Sequence, residues 1–140
     1  MNNIINQMSA LIDGKVVVNT TPHALNFLSS EGDLVVVPTS VPEGARTSPY
    51  VVNARAVEQP VGDDMVTTVF VGTPEGEAVL DAIEAWAAEE GIENLRVIGS
   101  IIAAQAYPGR VLGMCPAPGY ERVAPAEKRM TAQKFTVYVK

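Results

Sequence analysis

Apolar positions fall into short β-branched runs through the first half of the chain and into one helical stripe in the second. Lys15-Val16-Val17-Val18-Asn19 is the first run and reads as a strand. It leads into Thr20-Thr21-Pro22-His23, where Pro22 has no N–H for a ladder and either ends the pairing or marks an edge. Residues 24–28 resume the strand, Ser29-Ser30-Glu31-Gly32-Asp33 is a turn, and residues 34–37 form a second strand, which together predict a hairpin. The stretch from Pro38 to Arg46 is too rich in Pro and Gly for regular structure. Residues 50–57 and 65–71 are two further β-branched runs joined by Val61-Gly62-Asp63-Asp64, and they predict a second hairpin. The first 14 residues alternate Asn with apolar side chains up to the turn pair Asp13-Gly14, a pattern that fits a short strand or a helical turn.

The second half changes period. Thr73-Pro74-Glu75 carries three start signals for a long helix: an N-cap threonine, proline at the first helical position and acidic residues in the first turns. Val79, Leu80, Ile83, Trp86 and Ala87 make one apolar stripe, and Gly91 is the stop. The helix is expected to pack on the sheet through Trp86 and to leave Glu77, Asp81, Glu84, Glu89 and Glu90 as a solvated acidic face. Residues 94–99 return as a strand. Ser100 then takes the N-cap position of a short Ala-rich helix over residues 101–107, which Pro108-Gly109 ends. Such a corner turns free N–H groups and the positive end of the helix dipole toward the strand's carboxyl edge, where an anion can sit; an ordinary capped corner uses its serine for nothing else. Residues 110–115 are another strand candidate and residues 135–140 a terminal strand. The pattern predicts a single compact α/β domain over residues 1–140, with α+β as the neighbouring class: a mixed sheet with N-terminal antiparallel hairpins, one long amphipathic helix and one short helix.

Composition narrows the function more than the fold. A chain of 140 residues can bury about two-thirds of its unfolded surface in one core. The formal charge is −6, which disfavours non-specific nucleic-acid binding, and the basic run Arg122, Lys128, Arg129, Lys134, Lys140 reads as a solvated face interspersed with Glu121 and Glu127. No apolar stretch approaches the length of a membrane span and the N-terminus lacks a basic region before an apolar run, so neither membrane nor secretion is expected. One cysteine and one histidine cannot build a tetrahedral Cys/His zinc site, and a lone cysteine forms no internal disulfide. No metal and no cofactor are expected. A cytoplasmic location fits.

His23 is the only imidazole and stands in a polar cluster at a strand irregularity, where it can donate, accept or transfer a proton, or simply bridge a bend. Arg46 and Arg110 each follow a glycine-containing turn, a placement suited to bidentate recognition of carboxylate or phosphate and also to an ordinary surface arginine. No glycine-rich nucleotide loop and no Gly-x-Ser-x-Gly elbow occurs, and a triad of His23 with Ser40 or Ser100 has no spacing signature. Cys115 lies in an apolar run and reads as buried and inert.

Three segments in order, Asn19-Thr20-Thr21-Pro22-His23-Ala24, Pro38-Thr39-Ser40 leading to Ala45-Arg46, and Ile98-Gly99-Ser100 followed by Ala106-Tyr107-Pro108-Gly109-Arg110, resemble motifs of a family of small phage and prophage proteins. Those proteins carry Asn-Leu-Thr-Pro-His, a Pro-Pro-Ser-Gly loop ending in Ala-Arg-Val, and Ile-Val-Ser followed by Ala-x-Pro-Gly-Arg. The chain departs at Thr39, at the inserted Val41-Pro42-Glu43 and at Thr47. The resemblance implies a phage setting inside an infected bacterial host and a shared site, and it implies no reaction.

If the segments converge, Thr21, His23, Ser40, Arg46, Ser100 and Arg110 would form a pocket for an anionic, nucleotide-like or ribose-phosphate-like ligand. The first expectation is therefore a binding protein without catalysis, sequestering such a ligand, for instance a host defence signal. The second is an enzyme on the same ligand class, an N-glycosidase or transferase with His23 as general base. The third is a phage structural or host-interaction protein without a ligand. A homo-oligomer sharing the site between protomers is compatible with each.

Overall fold

The computed structural model describes residues 2–139. Two strands are buried on both faces, and the rest of the chain packs against them. In β2, Lys15–Asn19, Val16 and Val18 face one apolar cluster and Val17 the other; in β7, Leu95–Ile98, Val97 and Ile98 divide in the same way. These strands pair in parallel, with Val16 opposite Leu95 and Asn19 opposite Ile98. The Val-rich run of β2 is the expected composition for a strand covered on both sides. Strand β1, Ser9–Ile12, pairs antiparallel on the other side of β2, through the Asp13-Gly14 turn. The N-terminal pattern thus resolves into both of its readings: helix α1, Asn2–Gln7, followed by a strand. Asp13 (φ 51°) and Gly14 (φ 78°) both take positive φ in the turn.

Helices cover one face of this sheet. Helix α2, Pro74–Glu89, starts where the sequence places it, with the Thr73 hydroxyl accepting from the Gly76 N–H at 3.0 Å. It buries Leu80, Ile83, Trp86 and Ala87 against Ile5, Met8, Val18 and Val97. Helix α3, Ile101–Ala106, is capped by Ser100 and adds Ala103, Ala104 and the following Tyr107 to the same cluster.

A second sheet covers the opposite face. Strands β3, Leu25–Leu28, and β4, Leu34–Val37, form the hairpin expected around residues 29–33. Strand β9, Met130–Thr136, lies parallel to β3, and β8, Gly113–Pro116, runs antiparallel beyond it, giving the order β4-β3-β9-β8. Phe27, Val37 and Ala132 bury here against Ile12, Val17 and Ile98. Residues 111–112 run beside β7, with the Leu112 N–H donating to Val97 O at 2.8 Å, before the chain enters the second sheet at Gly113. Strands β5, Arg55–Pro60, and β6, Val66–Val71, make a separate two-stranded hairpin. The fold class is α/β, with mixed sheets, one long helix and one short one. Among the described residues no helix is long and apolar enough to cross a membrane.

Three strands depart from the sequence expectation by more than one residue. Residues 50–54 are loop because Val52 is drawn into the core and its N–H pairs with Thr20 O at 3.0 Å instead of a ladder partner. The C-terminal strand is centred further upstream than residues 135–140 because Thr131 and Ala132, which carry no alternating signal, are the residues buried between the sheets. Lys140 lies outside the described residues. Residues 110–112 precede rather than form part of β8.

The packing of Tyr107 fixes two glycines. Its buried ring lies where a Cβ on Gly72 would sit 2.6 Å from Cε1 and a Cβ on Gly76 2.8 Å from Cζ. Alanine is favoured over glycine in a helix by about 1 kcal/mol, whereas overpacking a core costs about 1–3 kcal/mol. Gly76→Ala is therefore expected to destabilise the protein by up to about 2 kcal/mol, read as a lower urea midpoint at unchanged slope; a midpoint above that of the parent would contradict this packing.

Candidate functional site

Asn19 ends β2 and is fully buried. Its amide nitrogen donates to His23 O at 2.8 Å and lies 3.2 Å from both Val37 O and Pro38 O. Its amide oxygen accepts from the Thr21 N–H at 2.8 Å and from the Thr21 hydroxyl at 2.7 Å. Pro22 leaves this corner without a ladder donor, so the side chain of Asn19 supplies the pairing that the backbone cannot.

The three motif segments meet through this corner. The Thr20 hydroxyl donates to Ile98 O at 2.7 Å, joining the first segment to the third. The Thr39 hydroxyl donates to Thr21 O at 2.8 Å, joining the first to the second. The meeting point lies at the carboxyl ends of the parallel strands β2 and β7.

The polar groups there are turned toward one another. Thr21 is buried and its hydroxyl is held by Asn19. The Ser40 hydroxyl shares a hydrogen bond with the Ser48 hydroxyl, and the Ser100 hydroxyl accepts from the Ala103 N–H at 3.1 Å. Arg46 is exposed on the loop between β4 and β5. Gly99 permits the close packing of the third segment, since a Cβ there would sit 2.6 Å from Val111 Cγ1.

Arg110 is directed away from this meeting point, onto the acidic face of α2. Its Nε and Nη2 form a bidentate pair with Glu84 at 3.0 and 2.9 Å, Nη2 also donates to Asp81 at 2.8 Å, and Nη1 donates to Glu77. The hydrogen bonds from Glu84 first, then Asp81 and Glu77, hold the guanidinium above its ordinary pKa against an opposing loss of hydration. That part of the helix face is thus an ion-pair cluster, with three carboxylates around one cation. A single carboxylate joins the sheets: Asp13 accepts from the Ser30 N–H and hydroxyl and from the Gln133 amide. Desolvation acts to raise the Asp13 pKa, but these bonds and nearby Lys15 outweigh it and lower the carboxyl below its usual range.

Of the predicted set, His23 borders a cavity. Its backbone is held on both sides: its carbonyl accepts from Asn19 and its N–H lies 3.4 Å from the Thr21 hydroxyl. His23 is exposed and borders a cavity of about 430 Å³, which Lys128 and Asn26 also border and which Leu25, Met114 and Met130 line with apolar surface. A larger hollow of about 520 Å³ lies near Phe70, Thr73, Gln105 and Glu77, and its charged group is a carboxylate. A third, of about 390 Å³, includes Lys134, but its Ser30 and Gln133 side chains are committed to Asp13. Cys115 is half buried, with Sγ 3.5 Å from Thr136 Oγ1. Among the described residues no cluster of three or more His, Cys, Asp or Glu could hold a metal ion.

Sequence reasoning missed Lys128, Asn26, Met114 and Met130. Lys128 carried a signal, since it follows Pro125 in an irregular stretch, but within the basic run it read as one solvated charge among several. Comparison of the chain with protein-family models, with curated proteins and with solved structures returns no match.

Removing the Asn19 side chain orphans the Thr21 N–H, takes a donor from the buried Val37 carbonyl and leaves a void, costs that add. Asn19→Ala is expected to lose about 3 kcal/mol or more of stability in urea unfolding, and Thr21→Val about 1 kcal/mol. A loss below about 1 kcal/mol for Asn19→Ala would contradict the role given to the amide.

Proposed function

We propose that this domain binds a small anionic ligand with an apolar body in the cavity between His23 and Lys128. The observation that carries this reading is that a lysine and a histidine border one cavity whose lining is otherwise mostly apolar, with Leu25, Met114 and Met130. Such a hollow, mostly apolar with a few convergent polar groups, is the usual form of a small-molecule site. The ligand class remains nucleotide-like or ribose-phosphate-like, with the anion on Lys128 and His23 and the base or other flat group on the methionines, whose thioethers adapt to aromatic rings. In the phage setting that the motif resemblance implies, capture of such a ligand would withdraw it from the host. None of the residues named at the cavity is a carboxylate, so His23 lacks the partner that a general base on a glycosidic bond would use, and binding is favoured over turnover.

The test is a thermal-shift screen with nucleotides, cyclic dinucleotides, ADP-ribose isomers and nucleosides, followed by calorimetry and chromatography of the bound compound. A ligand at 100 times its Kd adds about 2.7 kcal/mol of stability. His23→Ala and Lys128→Ala are each expected to weaken binding about tenfold, equivalent to about 1.4 kcal/mol, while Arg110→Gln leaves it unchanged. Binding that survives both cavity substitutions would overturn the site. Recovery of the ligand as product, lost in His23→Ala, would replace binding by catalysis.

A further inference from the structure

The β5–β6 hairpin is a sheet of two strands, and such a ribbon is marginal in water by itself. Its cross-strand pairs Val57 with Val69 and Arg55 with Val71 lie on one face, which continues past Gln59 and Thr67 to Val61 and Met65 at the tip. The tip is closed by the Val61 N–H donating to Met65 O at 3.0 Å. Val61 and Met65 are each 59% exposed, and between them stand the exposed carboxylates Asp63 and Asp64. With six residues per strand the ribbon spans about 20 Å, so it is an arm ending in two negative charges bracketed by apolar side chains.

The complementary chemistry lies elsewhere on the same chain. The formal charge is −6, yet Arg122, Lys128, Arg129 and Lys134 gather between residues 122 and 134. Lys128 is exposed and borders the His23 cavity, whose remaining surface is largely apolar, and Arg129 beside it is half-buried. Each surface carries the sign of charge that the other lacks, the tip beside the exposed Val61 and Met65 and the cavity beside the partly buried Met114 and Met130.

We propose that the hairpin tip of one copy docks in the His23–Lys128 cavity of a second copy. Asp63 and Asp64 face Lys128, with Val61 and Met65 on the apolar surface of Leu25, Met114 and Met130. The inference rests on the reading of that cavity as an anion site and names a peptide occupant for it. Because the two surfaces differ, the contact is heterologous, and repetition closes a ring or extends a filament.

Sedimentation velocity over a concentration series tests it, with far-UV circular dichroism as a check that the surface variants fold. Wild type is expected to grow in mass with concentration. The double variant Asp63→Lys/Asp64→Lys and the variant Lys128→Glu are each expected to associate at least tenfold more weakly, and an equimolar mixture of the two to regain association. A wild type that stays monomeric at millimolar concentration overturns the inference, as does association unchanged in both variants, which would place the contact on another surface such as the Leu34 and Val36 edge of β4. A mixture that stays monomeric also overturns it. Calorimetry with nucleotides on the same samples separates the two proposals. Nucleotide binding by a monomeric protein removes only the hairpin contact, and association without nucleotide binding removes only the small-molecule reading.

Discussion

The buried side chain of Asn19 decides how the chain passes from one sheet to the other. At the end of β2 the backbone must leave the first sheet and return as β3 in the second, through a segment containing Pro22. That exit exposes donors and acceptors inside the molecule, where each unpaired group costs about 1–3 kcal/mol. A carboxamide has both polarities at once, so it receives from Thr21 and donates toward His23, Val37 and Pro38. A carboxylate would set negative charge against three carbonyls, and an apolar side chain would satisfy none of them. The direction in which His23 leaves the corner is a consequence of this arrangement.

The same corner explains why the middle sheet can be covered on both sides. Helices α1 to α3 pack on the face of Val18 and Val97, and the β4-β3-β9-β8 sheet packs on the face of Val17 and Ile98. Chain ends that crossed a two-sided sheet at random would bury unpaired backbone. Here the crossings occur where pairing is provided: at Asn19 on one side, and at residues 111–113 on the other, where Leu112 is still bonded to Val97 when Gly113 joins β8. Tyr107, between α3 and the start of α2, closes the helical side through contacts that require glycine at positions 72 and 76.

What was legible in the sequence was local. The Thr73 and Ser100 caps, the stripe ending in Ala87, and the turn at residues 29–33 each depend on neighbours within a few positions, and each is found where the pattern puts it. What was illegible depends on distant partners. Strand β9 owes its burial to a parallel pairing with β3 across more than a hundred residues, and Thr-Ala-Gln-Lys has no periodicity to announce it. Arg110 shows the same limit at the level of the site. Glu77, Asp81 and Glu84 recur at i, i+4 and i+7, visibly one helix face, but nothing in that spacing says which cation the face meets. His23 was legible as the lone imidazole in a polar cluster at a strand irregularity; Lys128 was not, because only the fold brings residues 23 and 128 to one cavity.

The distribution of charge then constrains what the cavity can hold. Arg110 is neutralised by the helix, and the chain as a whole is negative, so long-range attraction does not gather polyanions to the surface. Lys128 acts at short range, within a Debye length of about 8 Å at physiological salt. For the ligand proposed above, affinity would therefore come chiefly from area removed from water at the partly buried Met114 and Met130, at about 25 cal/mol per Å² of apolar surface, with the cation fixing orientation. A bare phosphate or a long polyanion offers the charge without the surface, and an uncharged apolar molecule leaves Lys128 and His23 without a partner. The chemistry that satisfies both is one or two negative charges attached to a compact apolar body, whether a nucleotide supplies it or a turn such as Val61 to Met65.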